Sequence, residues 1–196
     1  MEKAHYIKSL GNFLSEYESD LNFITKFNCY KNNKLEIEKY LTKENGCFQK
    51  FINDFRVARN IQKDKVDVFL KELKLFVNSD DCDNVDEFAK EINKKQITHG
   101  KIMTSLCSKV LFLNNPYKII PIDTLAKKSL NYKGNNYLQF SSHLKNFVRK
   151  NDSEIDDYLN SIKMYSLEIE SKYDFDRIEI IRKNRFIDKL LWTQSY

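Results

Sequence analysis

Apolar residues recur at three- and four-residue spacing along almost the whole chain. Tyr6, Leu10, Phe13, Leu14, Tyr17, Leu21 and Ile24 make the first such stripe, which is the pattern of a helix with one face turned to a core. It predicts a helix over roughly residues 2–28, interrupted near Ser19-Asp20. Asn32-Asn33 marks a turn, and Leu35, Ile37, Tyr40 and Leu41 suit a short helix that stops at Asn45-Gly46, a helix-end signal. Phe48, Phe51, Ile52, Phe55 and Ala58 form the next stripe, and Val66, Phe69, Leu70, Leu73 and Phe76 another.

Asn78–Asn84 (NSDDCDN) is the strongest loop, with Asn84 or Asp83 placed to cap a helix over Val85–Asn93. Ile102–Leu113 (IMTSLCSKVLFL) is a helix of another kind, apolar and small all round, and Lys109 is its one charged residue. Asn114-Asn115-Pro116 ends it, because the residue before a proline is pushed away from helical torsions. Pro121 precedes a helix from about Thr124 to Leu130, Tyr132–Asn136 is a turn, and Tyr137–Lys150, Ile155–Lys172 and Asp174–Trp192 complete the set. The expected fold class is therefore all-α, about ten helices with little or no sheet.

Composition agrees: 4 Gly and 2 Pro in 196 residues are too few for the turns of an all-β chain. With no repeat and no long linker, the chain reads as a single all-α unit over 1–196. Cys29, Cys47, Cys82 and Cys107 show no C-x-x-C spacing, and His5, His99 and His143 no ligand motif, so neither metal nor cofactor is expected. Free thiols, an N-terminus that is no signal peptide and the lack of an uncharged run of ~18 residues predict an intracellular protein. It is placed in the cytoplasm or on the nucleoid, as a monomer with no membrane partner. A net charge of +5 permits a polyanionic partner without requiring one. Lys94-Lys95, Lys127-Lys128, Arg149-Lys150 and Arg182-Lys183 with Arg185 are either solvated helix faces or phosphate contacts.

Two residues carry the candidate chemistry. Lys109, alone among Leu106, Val110 and Phe112, is an amine nucleophile, a phosphate contact or a snorkelling surface lysine. Asp123 stands where an N-cap belongs, as a cap or as an anion held ready by the helix dipole.

Ser108-Lys109-Val110-Leu111 followed by Pro121-Ile122-Asp123-Thr124-Leu125-Ala126-Lys127 resembles the helix–loop–helix core of the helix-hairpin-helix (HhH-GPD) DNA glycosylases. The resemblance covers about residues 98–130, flanked by N-terminal (1–97) and C-terminal (131–196) helices. It departs from the family in a degenerate hairpin, reduced to His99-Gly100, in a shorter lysine-to-aspartate spacing, and in lacking a C-terminal cysteine cluster. It implies two apposed lobes with Lys109 as the Schiff-base lysine and Asp123 as the essential aspartate lining a central cleft. The implied activity is a DNA N-glycosylase with AP-lyase chemistry on a damaged or modified base flipped from a duplex. His99, Lys101, Lys127, Lys128, Arg182 and Arg185 are then the expected DNA contacts, and Trp192 a residue that stacks on the base or merely closes the core. The alternatives are a non-catalytic nucleic-acid-binding or defence-related protein on the same scaffold, and a helical protein-interaction subunit.

Overall fold

The computed structural model describes residues 2–194, and among them ten α-helices and two short 3-10 turns appear, with no strand. Two compact units are formed. A central unit comprises Asn22–Ile119, and a terminal unit comprises Met1–Leu21 with Ile120–Tyr196. Lys109 belongs to the first and Asp123 to the second.

Helix α1 (Lys3–Lys31) supplies residues to both units and is continuous, where a break near Ser19-Asp20 is expected from the sequence. The reason is that Asp20 is not a turn residue here. Its carboxylate is buried and accepts from Arg185 Nε at 2.8 Å, so a polar residue occupies a core position without ending the helix.

The central unit continues with α2 (Ile37–Tyr40), α3 (Phe48–Asp54), α4 (Val66–Phe76), α5 (Val85–Lys94) and α6 (Thr104–Asn114). The 3-10 turns Ala58–Asn60 and Lys63–Lys65 lie between α3 and α4. Asn84 caps α5 by accepting from the Glu87 amide at 3.1 Å, while Asp83 accepts from Asn115 Nδ2 at 2.9 Å. The core is strongly aromatic. Tyr30 stacks on Tyr40 at 4.8 Å between ring centres, Phe48 lies 6.0 Å from Phe69, and Phe76 4.7 Å from Phe88. A second branch runs through Phe23, Phe51 and Phe55 to Phe112 of α6. Large rings at helical spacing fill this volume, each of them dominating the apolar area removed from water around it.

The terminal unit contains α7 (Thr124–Ser129), α8 (Tyr137–Ser161), α9 (Lys163–Glu170) and α10 (Ile178–Gln194). Helix α8 runs through the expected gap at 151–154, because Asp152, Ser153 and Glu154 fall on its exposed side while Ile155 and Leu159 extend the buried stripe of Phe140 and Leu144. The break comes instead at Ile162. Inside this unit Arg185 pairs with Asp20 and Asp188, Lys189 with Glu16, and Arg182 makes two bonds to Glu170, whose Oε1 also accepts from the Tyr17 hydroxyl. Removing one partner of a buried pair of this kind costs about 3–5 kcal/mol, since the other charge is left without compensation.

Buried tyrosines give the fold an alkaline limit. Burial pushes the Tyr30 phenol up to about 12 and raises the Tyr17 and Tyr40 phenols well above the usual tyrosine value, with the hydrogen bond to Glu170 adding to the effect at Tyr17. These groups stay protonated when folded but ionise near pH ~10 when unfolded. Their contribution to stability is therefore complete below about pH 10 and declines as pH rises toward 12 and beyond. Tyr40 also buries a hydroxyl that meets no hydrogen-bond partner among the described residues. In urea denaturation, Tyr40→Phe should raise stability by about 1 kcal/mol at neutral pH and flatten the loss above pH ~10. A destabilised Tyr40→Phe would show that the hydroxyl is satisfied.

Candidate functional site

Helix α6 is wrapped on nearly every side. Leu106, Cys107, Val110, Leu111, Phe112 and Leu113 are fully buried, and burial pushes the Cys107 thiol well up, so this cysteine is no ready nucleophile. Lys109 emerges half-buried from that apolar helix, and its Nζ donates to the backbone carbonyl of Phe55 at 3.0 Å. The acceptor is well chosen. Phe55 closes α3, and its ring is held by Phe51 at 4.3 Å and Phe112 at 6.4 Å. The lysine thus fixes the point where the chain leaves α3, and the aromatic branch fixes the lysine's partner.

Immediately after Phe55 the backbone enters the left-handed region at Arg56, with φ of 56°. That conformation ends α3 in the usual way, with the Arg56 amide donating to the Asn53 carbonyl at 3.0 Å and the Val57 amide to the Ile52 carbonyl at 2.8 Å. The turn opens a depression of about 350 Å³ lined by Ile52, Asn53, Arg56, Ala58 and Arg59. Arg56 and Arg59 are exposed, and among the described residues neither guanidinium is held in an ion pair or a side-chain hydrogen bond. Neither stands out in the sequence, because they are single cations three apart with no run around them. The signal that exposes them is the depression and the tertiary bond from Lys109.

His99 and Lys101 also lie in the central unit and are exposed. Their segment is a tight turn: Gly100 takes φ of 68°, and Thr98 Oγ1 donates to the Lys101 carbonyl at 2.7 Å. It is bound to the stretch after Arg59, since the Gln62 amide donates to the Ile97 carbonyl at 3.0 Å, and Gln62 Nε2 and Lys65 Nζ donate to the Gln96 carbonyl at 2.9 and 2.7 Å.

In the terminal unit Asp123 is the N-cap of α7, its Oδ1 accepting from the Ala126 amide at 2.8 Å. Lys127 Nζ donates to the Gly134 carbonyl at 3.2 Å and to Asn135 Oδ1 at 2.8 Å, while Lys128 is exposed. The α10 arginines call for a correction. Arg185 is 1% exposed and bound to Asp20, and Arg182 is 12% exposed at its side chain and bound to Glu170. Both are taken up by the interior of the unit, so neither is a surface contact for DNA phosphate. Lys183 beside them spans Asp152 and Asp156 of α8 at 2.9 and 2.6 Å. Trp192 is half-buried between the buried residues Leu191 and Thr193.

Among the described residues no three His, Cys, Asp or Glu side chains converge as a metal site, and no helix is long and apolar enough to cross a membrane. No family model, curated protein or solved structure matches the chain. The two units and their side chains therefore carry the functional argument alone.

The capping role separates two substitutions. Asp123→Ala should cost about 1 kcal/mol, while Asp123→Asn should cost only a few tenths, because asparagine caps about as well as aspartate. Urea denaturation of the two variants measures the difference. Equal losses would mean that the carboxylate charge, and not the cap, is what the fold uses.

Proposed function

We propose that this chain is a DNA N-glycosylase with AP-lyase chemistry, in which Lys109 is the amine nucleophile and Asp123 the carboxylate. The observation that carries the reading is the setting of Lys109. It is a half-buried amine on a helix of buried neighbours, held by a hydrogen bond to the Phe55 carbonyl. A neutral amine can donate an N–H to that carbonyl, and the bond orients the nucleophile.

The chemistry follows from those groups. The lone pair of Nζ attacks C1′ of the damaged nucleotide. The C1′–N bond breaks, and the base departs with the bonding electrons and takes up a proton. Loss of a proton from nitrogen and opening of the sugar ring give an iminium, and abstraction of a C2′ proton then expels the 3′-phosphate. The base must be out of the stack for any of this, because C1′ cannot be approached inside a duplex.

A non-catalytic nucleic-acid-binding protein is the second reading, favoured by a specific observation: the Asp123 carboxylate already serves as the cap of α7. Borohydride reduction separates the two. With an abasic duplex, the chain should form a covalent adduct that Lys109→Ala abolishes. Asp123→Asn, which keeps the cap, should lower base excision at least ~100-fold while leaving attack on a preformed abasic site less affected. Absence of any adduct across abasic and damaged duplexes, with binding intact, would leave the binding protein as the correct reading.

A further inference from the structure

Two short segments of this chain carry more cations than acids, although Lys95 of the second is paired with Glu72. Residues 56–65 (RVARNIQKDK) carry Arg56, Arg59, Lys63 and Lys65 against one acid, Asp64, and residues 94–101 (KKQITHGK) carry Lys94, Lys95 and Lys101 against none. Together these two segments hold a net +6, whereas the whole chain is +5, so the other 178 residues are net −1. The segments are far apart in sequence but are laced together by the three bonds from Gln62 and Lys65 to the carbonyls of Gln96 and Ile97.

We propose that these two loops of the central unit form a binding surface for the phosphodiester backbone of nucleic acid, with Arg56 and Arg59 at its working centre. The inference deepens the DNA reading and rests only on its nucleic-acid part, not on Lys109 acting as a nucleophile. Three properties single this surface out from an ordinary solvated face. Its arginines are not neutralised by neighbours, unlike Arg182, Arg185 and Lys183. They flank a shallow depression that also offers Asn53. Their backbone is fixed in advance: the turn at Arg56 is closed by the Arg56 amide donating to the Asn53 carbonyl and the Val57 amide to the Ile52 carbonyl, and the neighbouring Phe55 carbonyl accepts from Lys109. A planar guanidinium fork suits a phosphate better than a lysine does, and preset positioning reduces the ordering cost of binding. His99 and Lys101 extend the same surface along the 94–101 loop, where the backbone of a strand would continue.

Fluorescence anisotropy with a short labelled duplex, read across about 50–200 mM salt, tests the proposal. The double variant Arg56→Asn with Arg59→Gln keeps a residue that tolerates the left-handed turn. It should bind roughly 10–100-fold more weakly at the lower salt, and its slope of log affinity against log salt should flatten by about 1.8, the value for two lost phosphate contacts. Arg149→Gln with Lys150→Gln removes the same charge from exposed positions on α8 and should change affinity by less than about threefold. Equal weakening by both pairs would overturn the proposal, as would failure of the unmodified chain to bind duplex or single strands at the lower salt. Binding to phosphatidylserine vesicles that depends on Arg56 and Arg59, with none to duplex, would overturn it in favour of a membrane surface. A borohydride adduct that is absent while the arginine dependence holds would count only against the lyase. An adduct that persists without that dependence would count only against this surface.

Discussion

A charge drawn into a protein interior must find an acceptor, and that constraint sorts the cations of this chain into two populations. Arg185, Arg182 and Lys189 are met by Asp20, Glu170 and Glu16, and they hold α10 against α1 and α9 inside the terminal unit. Lys109 is met by a backbone carbonyl and holds α6 against the end of α3 inside the central unit. Those cations are structural because desolvating them without partners would be prohibitive. Among the described surface cations with no acid partner, Arg56, Arg59 and Lys101 lie in the two loops laced together by Gln62 and Lys65.

Lys109 has a part in both halves of this division. Its hydrogen bond continues an aromatic chain, Phe23 to Phe51 to Phe55 to Phe112, out to the turn where Arg56 lies. Packing of that chain makes the carbonyl a fixed point, and the fixed point makes the amine a directed one. A lysine in this setting can shape a binding loop and still attack an electrophile once it has lost a proton, so the structural and catalytic roles do not compete. Asp123 is likewise taken up by the fold, its carboxylate capping α7 through the Ala126 amide.

Helix existence was legible wherever a stripe was long and regular, as in α1, α4, α5 and α10. Helix ends were less so, because polar residues can lie inside a helix when the tertiary structure gives them a place. Asp20 did so through its arginine, and residues 152–154 through exposure on one side of α8. Arg182 and Arg185, read from the sequence as DNA contacts, point inward instead. Ile181, Arg185 and Lys189 are four apart and all buried, so the stripe itself placed Arg185 inward. At the candidate site, Lys109 was conspicuous as the sole charge of its segment. Arg56 and Arg59 were not, because what distinguishes them is a turn conformation, a depression and a neighbouring loop some 40 residues away. None of the three is written in local pattern.

In the proposed reading the surface cations Arg56, Arg59 and Lys101 of the central unit, unpaired among the described residues, face nucleic acid. Titrating the isotope-labelled chain with duplex DNA and following backbone amide shifts tests it residue by residue. The account predicts that the largest shifts fall within 56–65 and 94–101, with the amides of α10 little changed. Shifts concentrated on α10, or none in either loop at saturation, would contradict it.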